Sequence, residues 1–144
     1  MLEILSYKGV EFPNWMSKQQ LAHLESLVEV KLINLKRCVA LSSLGQIRVL
    51  KKLEIAQGNR FEFCCRNNLQ CIETTEIIGC QELRCLPQDV QNLEHLSKMT
   101  INGCNNLTTL VALHSLKVLN TYACPVIENW RSLQGEKFQL CISY

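Results

Sequence analysis

Leu96-Ser97-Lys98-Met99-Thr100-Ile101-Asn102-Gly103-Cys104 places apolar side chains first, fourth and sixth, and a cysteine ninth. Ile72-Glu73-Thr74-Thr75-Glu76-Ile77-Ile78-Gly79-Cys80 has the same spacing, with Thr75 as a weak fourth member. Both run on into x-x-L-x-x-L, through Leu107 and Leu110 after the first and Leu83 and Leu86 after the second. Leu116-Lys117-Val118-Leu119-Asn120-Thr121-Tyr122-Ala123-Cys124 is a third copy. Leu27 to Leu35 and Leu50 to Gly58 fit the same frame, and Leu2 to Val10 fits it with Leu5 and Tyr7 as fourth and sixth members. The six copies start at residues 2, 27, 50, 72, 96 and 116, at intervals of 25, 23, 22, 24 and 20.

That interval is the period of a leucine-rich repeat, and six copies in phase outweigh the chance alternation that any single copy could show. Within each copy the fourth and sixth members alternate with outward neighbours, as on a strand with one buried face. Each strand then pairs with its equivalent in the next coil. The expected fold is therefore α/β: a leucine-rich-repeat solenoid of about six coils, with a curved parallel sheet on the concave face and mostly irregular convex returns. The cysteine at the ninth place turns inward, where a small weakly polar thiol can bond to backbone groups of the turn. Leu86-Pro87 starts a return in extended or turn conformation, since proline disfavours helix at the residue before it. Gln88 to Leu93 supplies a single helical turn.

Composition removes many alternatives. The 144 residues are 47% hydrophobic with a net charge of +2, too apolar and too nearly neutral for disorder. One domain of this length buries roughly 70% of its unfolded surface. Asp89 is the sole aspartate, which excludes an EF-hand loop and most Asp-based catalytic or Mg²⁺ sites. Residues 1–66 carry ten Lys/Arg and six Glu, and residues 67–144 carry five Lys/Arg and seven acids. This polarity is too mild for a nucleic-acid footprint. No signal-peptide core and no apolar run of about 18 residues is visible, so neither export nor a membrane span is expected.

Candidate chemistry does not converge. The nine cysteines (38, 64, 65, 71, 80, 85, 104, 124 and 141) are odd in number and lie in Leu-rich periodic text, which reads as reduced thiols in the cytoplasm. Their spacing offers no C-x₂-C pair, and His23, His95 and His114 are scattered, so no metal or cofactor is expected. Cys80, Cys104 and Cys124 share one repeat place and stack about 5 Å apart, within disulfide range, though buried thiols are the expected state. No Cys or Ser finds a His partner and an orienting group, so the chain is not expected to be an enzyme.

Binding is expected on the outward side chains of the strands. The centre column, between the two buried members, reads Ser6, Lys31, Glu54, Glu76, Thr100 and Asn120. The following column reads Lys8, Ile33, Ala56, Ile78, Asn102 and Tyr122, and the preceding one Ile4, Glu29, Lys52, Thr74, Lys98 and Val118. Apolar outward residues on a solvated strand face suggest a protein-contacting groove, although single exposed apolar residues also occur on ordinary surfaces. The protein-binding candidates are Lys31, Ile33, Glu54, Glu76, Ile78, Thr100, Asn102, Asn120 and Tyr122. Trp15 and Trp130 could anchor an interface, and Lys51-Lys52 could dock an acidic partner; packing and solvation are the plainer roles.

Val10-Glu11-Phe12-Pro13-Asn14-Trp15-Met16 resembles the F-P-x-W-M signature of plant intracellular immune receptors. Leu41-Ser42-Ser43-Leu44-Gly45 followed by Leu50-Lys51-Lys52-Leu53-Glu54-Ile55 resembles the L-x-x-L-G and L-K-x-L-x-I strings of their leucine-rich repeats, with Ser42 and Arg48 where proline is usual and Leu35 where cysteine often stands. The I-x-G-C-x-x-L-x-x-L copies at 77–86 and 101–110 look like the C-terminal repeats of the coiled-coil class, and Cys124-Pro125-Val126-Ile127 like its usual ending. The likeness divides the chain into a repeat domain, 1–128, and a tail or cap, 129–144, in which Phe138 to Ile142 would form a last apolar strand. It implies a non-catalytic, cytoplasmic defence module that binds a pathogen effector or host target. In a full receptor the module would also restrain a nucleotide-binding switch, without nucleic acid or membrane as partner. No G-x-x-x-x-G-K-[ST] string is present, so the chain reads as a fragment of such a receptor. An inert truncated paralogue, and the substrate-recruiting repeats of a ubiquitin ligase, are the alternatives.

Overall fold

Alternating burial turns each repeat into a short strand. In the computed structural model, residues 1–10, 24–35, 44, 47–58, 69–86, 88–124 and 139–143 are described. Among them are seven strands: β1 (Leu2–Leu5), β2 (Glu29–Ile33), β3 (Lys52–Ala56), β4 (Thr74–Ile78), β5 (Lys98–Asn102), β6 (Val118–Tyr122) and β7 (Gln139–Ser143). They form one sheet in chain order, and every neighbouring pair is parallel. Such an order requires each connection to travel out and back on the same side, which is the solenoid expected from the repeat. The rung count is seven where about six coils were expected, because β7 continues the parallel ladder with Leu140 opposite Leu119.

The core is built from equivalent places in successive coils. Val30, Leu53, Thr75, Met99 and Leu119 form one buried row, and Leu32, Ile55, Ile77, Ile101 and Thr121 another. Behind them lie the first members Leu27, Leu50, Ile72, Leu96 and Leu116, then Leu83, Leu86, Leu107 and Leu110 from the returns, all buried. Each such side chain contributes roughly 1.5–3 kcal/mol by leaving water. The five returns that lead into β2 to β6 end in the same tight turn. The N–H of Leu27, Leu50, Ile72, Leu96 and Leu116 donates to the carbonyl three residues earlier, at 3.1–3.2 Å. The helical turn expected after Pro87 is a 3₁₀ turn, Gln88–Asn92.

Strands β1 to β6 are each closed by a residue in the left-handed region. Ser6 (φ 52°), Asn34 (59°), Gln57 (54°), Gly79 (61°), Gly103 (62°) and Ala123 (45°) all occupy the eighth place. This bend lets the N–H of Ser6, Asn34, Gln57, Gly79 and Gly103 donate to the next coil's seventh-place carbonyl, at 2.7–2.9 Å. The ladder is thereby extended one residue beyond each strand.

That bend corrects the first copy. Ser6 is equivalent to Asn34, and Leu2 and Ile4 pair with Val30 and Leu32. Leu2 and Ile4 are therefore the fourth and sixth members, in place of Leu5 and Tyr7. Leu2, Ile4, Leu5 and Tyr7 satisfy the alternation in either frame, and the position of the turn decides between them. Ile4 is buried, Leu5 faces outward at 60% exposure, and Tyr7 takes the cysteine's place, half-buried against the core.

The ninth-place cysteines turn inward as expected. Cys80, Cys104 and Cys124 donate to the sixth-place carbonyls of the preceding coil, Ile55, Ile77 and Ile101, at 3.9, 3.8 and 3.6 Å. Each also meets the carbonyl two residues before it, at 3.7, 3.6 and 3.1 Å. All three are free thiols. Phe12, Pro13, Trp15, Met16, His23, Cys38, Gly45, Cys64, Cys65, Pro87, Pro125 and Trp130, including the F-P-x-W-M stretch, lie outside the described residues.

Candidate protein-contact face

Parallel pairing in one register sets every outward side chain into three rows. The central row is Glu3, Lys31, Glu54, Glu76, Thr100, Asn120 and Cys141. The row toward the strand ends is Leu5, Ile33, Ala56, Ile78, Asn102 and Tyr122. The row toward the strand starts is Glu29, Lys52, Thr74, Lys98, Val118 and Gln139. Neighbours within a row lie about 4.8 Å apart.

All nine residues singled out from the sequence stand in these rows: Lys31, Glu54, Glu76, Thr100 and Asn120 in the centre, and Ile33, Ile78, Asn102 and Tyr122 beside them. The shifted first coil replaces three expected members. Glu3 stands where Ser6 was expected, Leu5 stands where Lys8 was expected, and Ile4 points into the core. Glu3 and Leu5 were missed because Gly9 stands at the eighth place of the expected frame, as Gly79 and Gly103 do in theirs, whereas the turn itself falls at Ser6.

Charges on β2 to β4 are paired across the strands. The Lys31 ammonium is 3.0 Å from Glu54. Lys52 lies between two carboxylates, 2.9 Å from Glu76 and 3.5 Å from Glu29. The bond from Glu54 raises the ionisation of Lys31 above its ordinary value, and that from Glu76 raises Lys52. Lys51, one residue before β3, pairs with Glu73 at 3.0 Å, so both lysines of the Lys51-Lys52 pair have acidic partners within the chain. Half-exposed pairs of this kind contribute at most about 1 kcal/mol. What they do firmly is fix the direction of long side chains across β2, β3 and β4.

One free thiol, Cys141, stands in the central row itself. The thiol stack lies behind it, and the Cys80 thiol and burial push the Cys104 ionisation well above the ordinary range. Burial also raises Cys124. Among the described residues no three His, Cys, Asp or Glu side chains converge as a metal site. No described helix is long and apolar enough to cross a membrane. Side chains held in rows on a rigid sheet can make a mosaic of polar and apolar contacts to another molecule.

Comparison with known proteins agrees with this architecture. The family model described as R13L1/DRL21 leucine-rich repeats matches residues 1–58. A search of curated proteins found no match. Among solved structures, the leucine-rich repeat domain of the type III effector XopL is similar at a TM-score of 0.60 and 19% sequence identity. The similarity covers 88% of this chain and 48% of that one, so the chain spans about half the length of its structural neighbour. The chain is a leucine-rich-repeat solenoid whose first 58 residues match a repeat family of the plant-resistance type.

Proposed function

We propose that the chain is a non-catalytic protein-binding module of a plant intracellular immune receptor, acting in the cytoplasm. Its ligand is a pathogen effector or a host protein that an effector alters. In a receptor of the coiled-coil class the repeats also restrain the nucleotide-binding switch until a ligand on the strand face shifts the balance between states. The observation that carries the reading is the seven-strand parallel register, which arrays Lys31, Glu54, Glu76, Thr100 and Asn120 in one row over an inert core. The R13L1/DRL21 match over residues 1–58 supports the defence role.

The test replaces outward residues without touching the core. Asn120→Arg and Tyr122→Asp change the face at two adjacent points of β6 and leave its buried partners in place. The expected result is loss of association with the protein that co-purifies with the wild-type chain from plant cells, at an unchanged melting temperature. Equal association by both variants, with loss on substituting the exposed convex residues Gln91 or Glu94, would count against it.

A further inference from the structure

The strand face has two unlike halves. On β1 to β4 the row toward the strand ends is wholly apolar: Leu5, Ile33, Ala56 and Ile78 pair side by side. Leu5 is 60% exposed, and Ile33 and Ile78 are half-buried. Ala56 is buried between Ile33 and Ile78, so the row is an apolar strip about 15 Å long that meets solvent at Leu5, Ile33 and Ile78. On β5 and β6 the same row turns polar with Asn102 and Tyr122.

Beside the strip, charge runs against that of the whole molecule. Outward on β1 to β4 stand Glu3, Glu29, Glu54 and Glu76 against Lys31 and Lys52, four carboxylates to two ammoniums, in a chain of net charge +2. Lys31 serves Glu54, and Lys52 is shared by Glu29 and Glu76. Glu3 lies opposite Lys31 in the register, and no ion pair joins the two among the described residues. The central row that borders the strip, Glu3, Lys31, Glu54 and Glu76, thus holds three carboxylates to one ammonium, with Glu29 and Lys52 one row further out.

Given the protein-binding reading of this face, on which the inference rests, the geometry points to a polypeptide segment with apolar side chains flanked by lysines or arginines as the partner of β1 to β4. Its apolar side chains cover Leu5, Ile33 and Ile78, and its cations complete the coordination of Glu3 and of the carboxylates sharing Lys52. Complementary charge of this kind sets register and speeds encounter, while the apolar contact supplies most of the affinity.

The test is an NMR titration of the isotope-labelled full chain with a synthetic peptide of alternating leucine and lysine, and with its leucine–glutamate counterpart. The expected result is perturbation confined to outward residues of β1 to β4 by the lysine peptide, with affinity about tenfold above that of the glutamate peptide. Ile78→Ser is expected to weaken binding about tenfold. Glu76→Gln is expected to weaken it less, and with a reduced salt dependence. Both variants should melt as the wild type does.

Equal affinity for the two peptides, or binding unchanged by Ile78→Ser, overturns the assignment. Perturbation centred on Asn102 and Tyr122 overturns it while leaving the protein-binding reading of the face intact. Concentration-dependent dimerisation abolished by Ile78→Ser also overturns it, since the strip would then be covered by a second copy.

Discussion

The thiol of Cys104 stands 3.8 Å from the carbonyl oxygen of Ile77, one coil away, and donates to it from a fully buried site. The contact ties the turn after β5 to the strand of the preceding coil, and Cys80 and Cys124 repeat it at Ile55 and Ile101. Cys104→Ala removes the donor and leaves a small void. The expected loss is about 1–2 kcal/mol of stability. Chemical denaturation of the purified chain measures it, and no loss would show the thiol to be filler alone.

The same thiol predicts an alkaline weakness. Cys80 and burial hold the Cys104 thiol above its ordinary value of 9.0 while the bond from Cys104 lowers Cys80, so above 9.0 the folded pair keeps one proton that the unfolded chain releases. Its contribution is complete below 9.0 and is lost as pH climbs from there through the folded value. Lys31 and Lys52, raised above 10.5 by Glu54 and Glu76, are still charged across that interval. Stability is therefore expected to fall between pH 9.0 and 10.5, by up to about 1.4 kcal/mol per pH unit. Cys104→Ala should flatten the slope, and an unchanged slope would remove Cys104 as its source.

Thr75 is the weak point of its buried row. Its side chain lies between Leu53 and Met99, 1% exposed, and its hydroxyl has no hydrogen-bond partner among the described residues. Valine has nearly the same shape without the orphaned polar group. Thr75→Val is expected to stabilise the fold by about 1 kcal/mol. Thermal and denaturant unfolding check this, and destabilisation would mean that the hydroxyl is satisfied in solution.

The left-handed turns predict a pair of opposite effects. Gly103, at φ 62°, has room for a Cβ, whose nearest neighbour would be the Gly79 Cα at 3.9 Å, so Gly103→Ala meets backbone strain and not a clash. A loss of about 1 kcal/mol is expected. Ala123 already bears that strain at φ 45°, so Ala123→Gly should recover up to about 1 kcal/mol. Two changes of the same sign would contradict the shared turn geometry.

These turns also mark where the sequence is readable. Copies two to six could be framed because each has an apolar first member and, in three of them, Cys80, Cys104 or Cys124 at the end of the strand. Gly79 and Gly103 announce their bends and Asn34 hints at one, whereas Ser6, Gln57 and Ala123 make the same bend with no signal in the residue type. The first copy was therefore framed three residues out, and with it Glu3 and Leu5 escaped notice. Phe138 to Ile142 was legible as a last apolar strand, but its parallel register is not. Gln139-Leu140-Cys141-Ile142-Ser143 lacks the L-x-x-L lead of the other copies, and its pairing with β6 is a tertiary fact. The nine outward candidates were legible because strict alternation on five strands leaves only one face for them. The columns already set Lys31 beside Glu54 and Glu29 beside Lys52, which face each other in the register, but the diagonal Lys52–Glu76 pair depends on side-chain conformations that no local pattern states.

Site-specific photocrosslinking tests the central claim, that the outward strand rows are a protein-contact face, most directly. A photoreactive side chain is placed in turn at Lys31, Thr100 and Asn120 on the central row, and at Gln91 and Glu94 on the convex side, in the chain expressed in plant cells. The account predicts one discrete protein adduct from the central-row positions and none from the convex ones. Adducts from Gln91 and Glu94 alone would contradict it, and would move the binding surface to the opposite side of the solenoid.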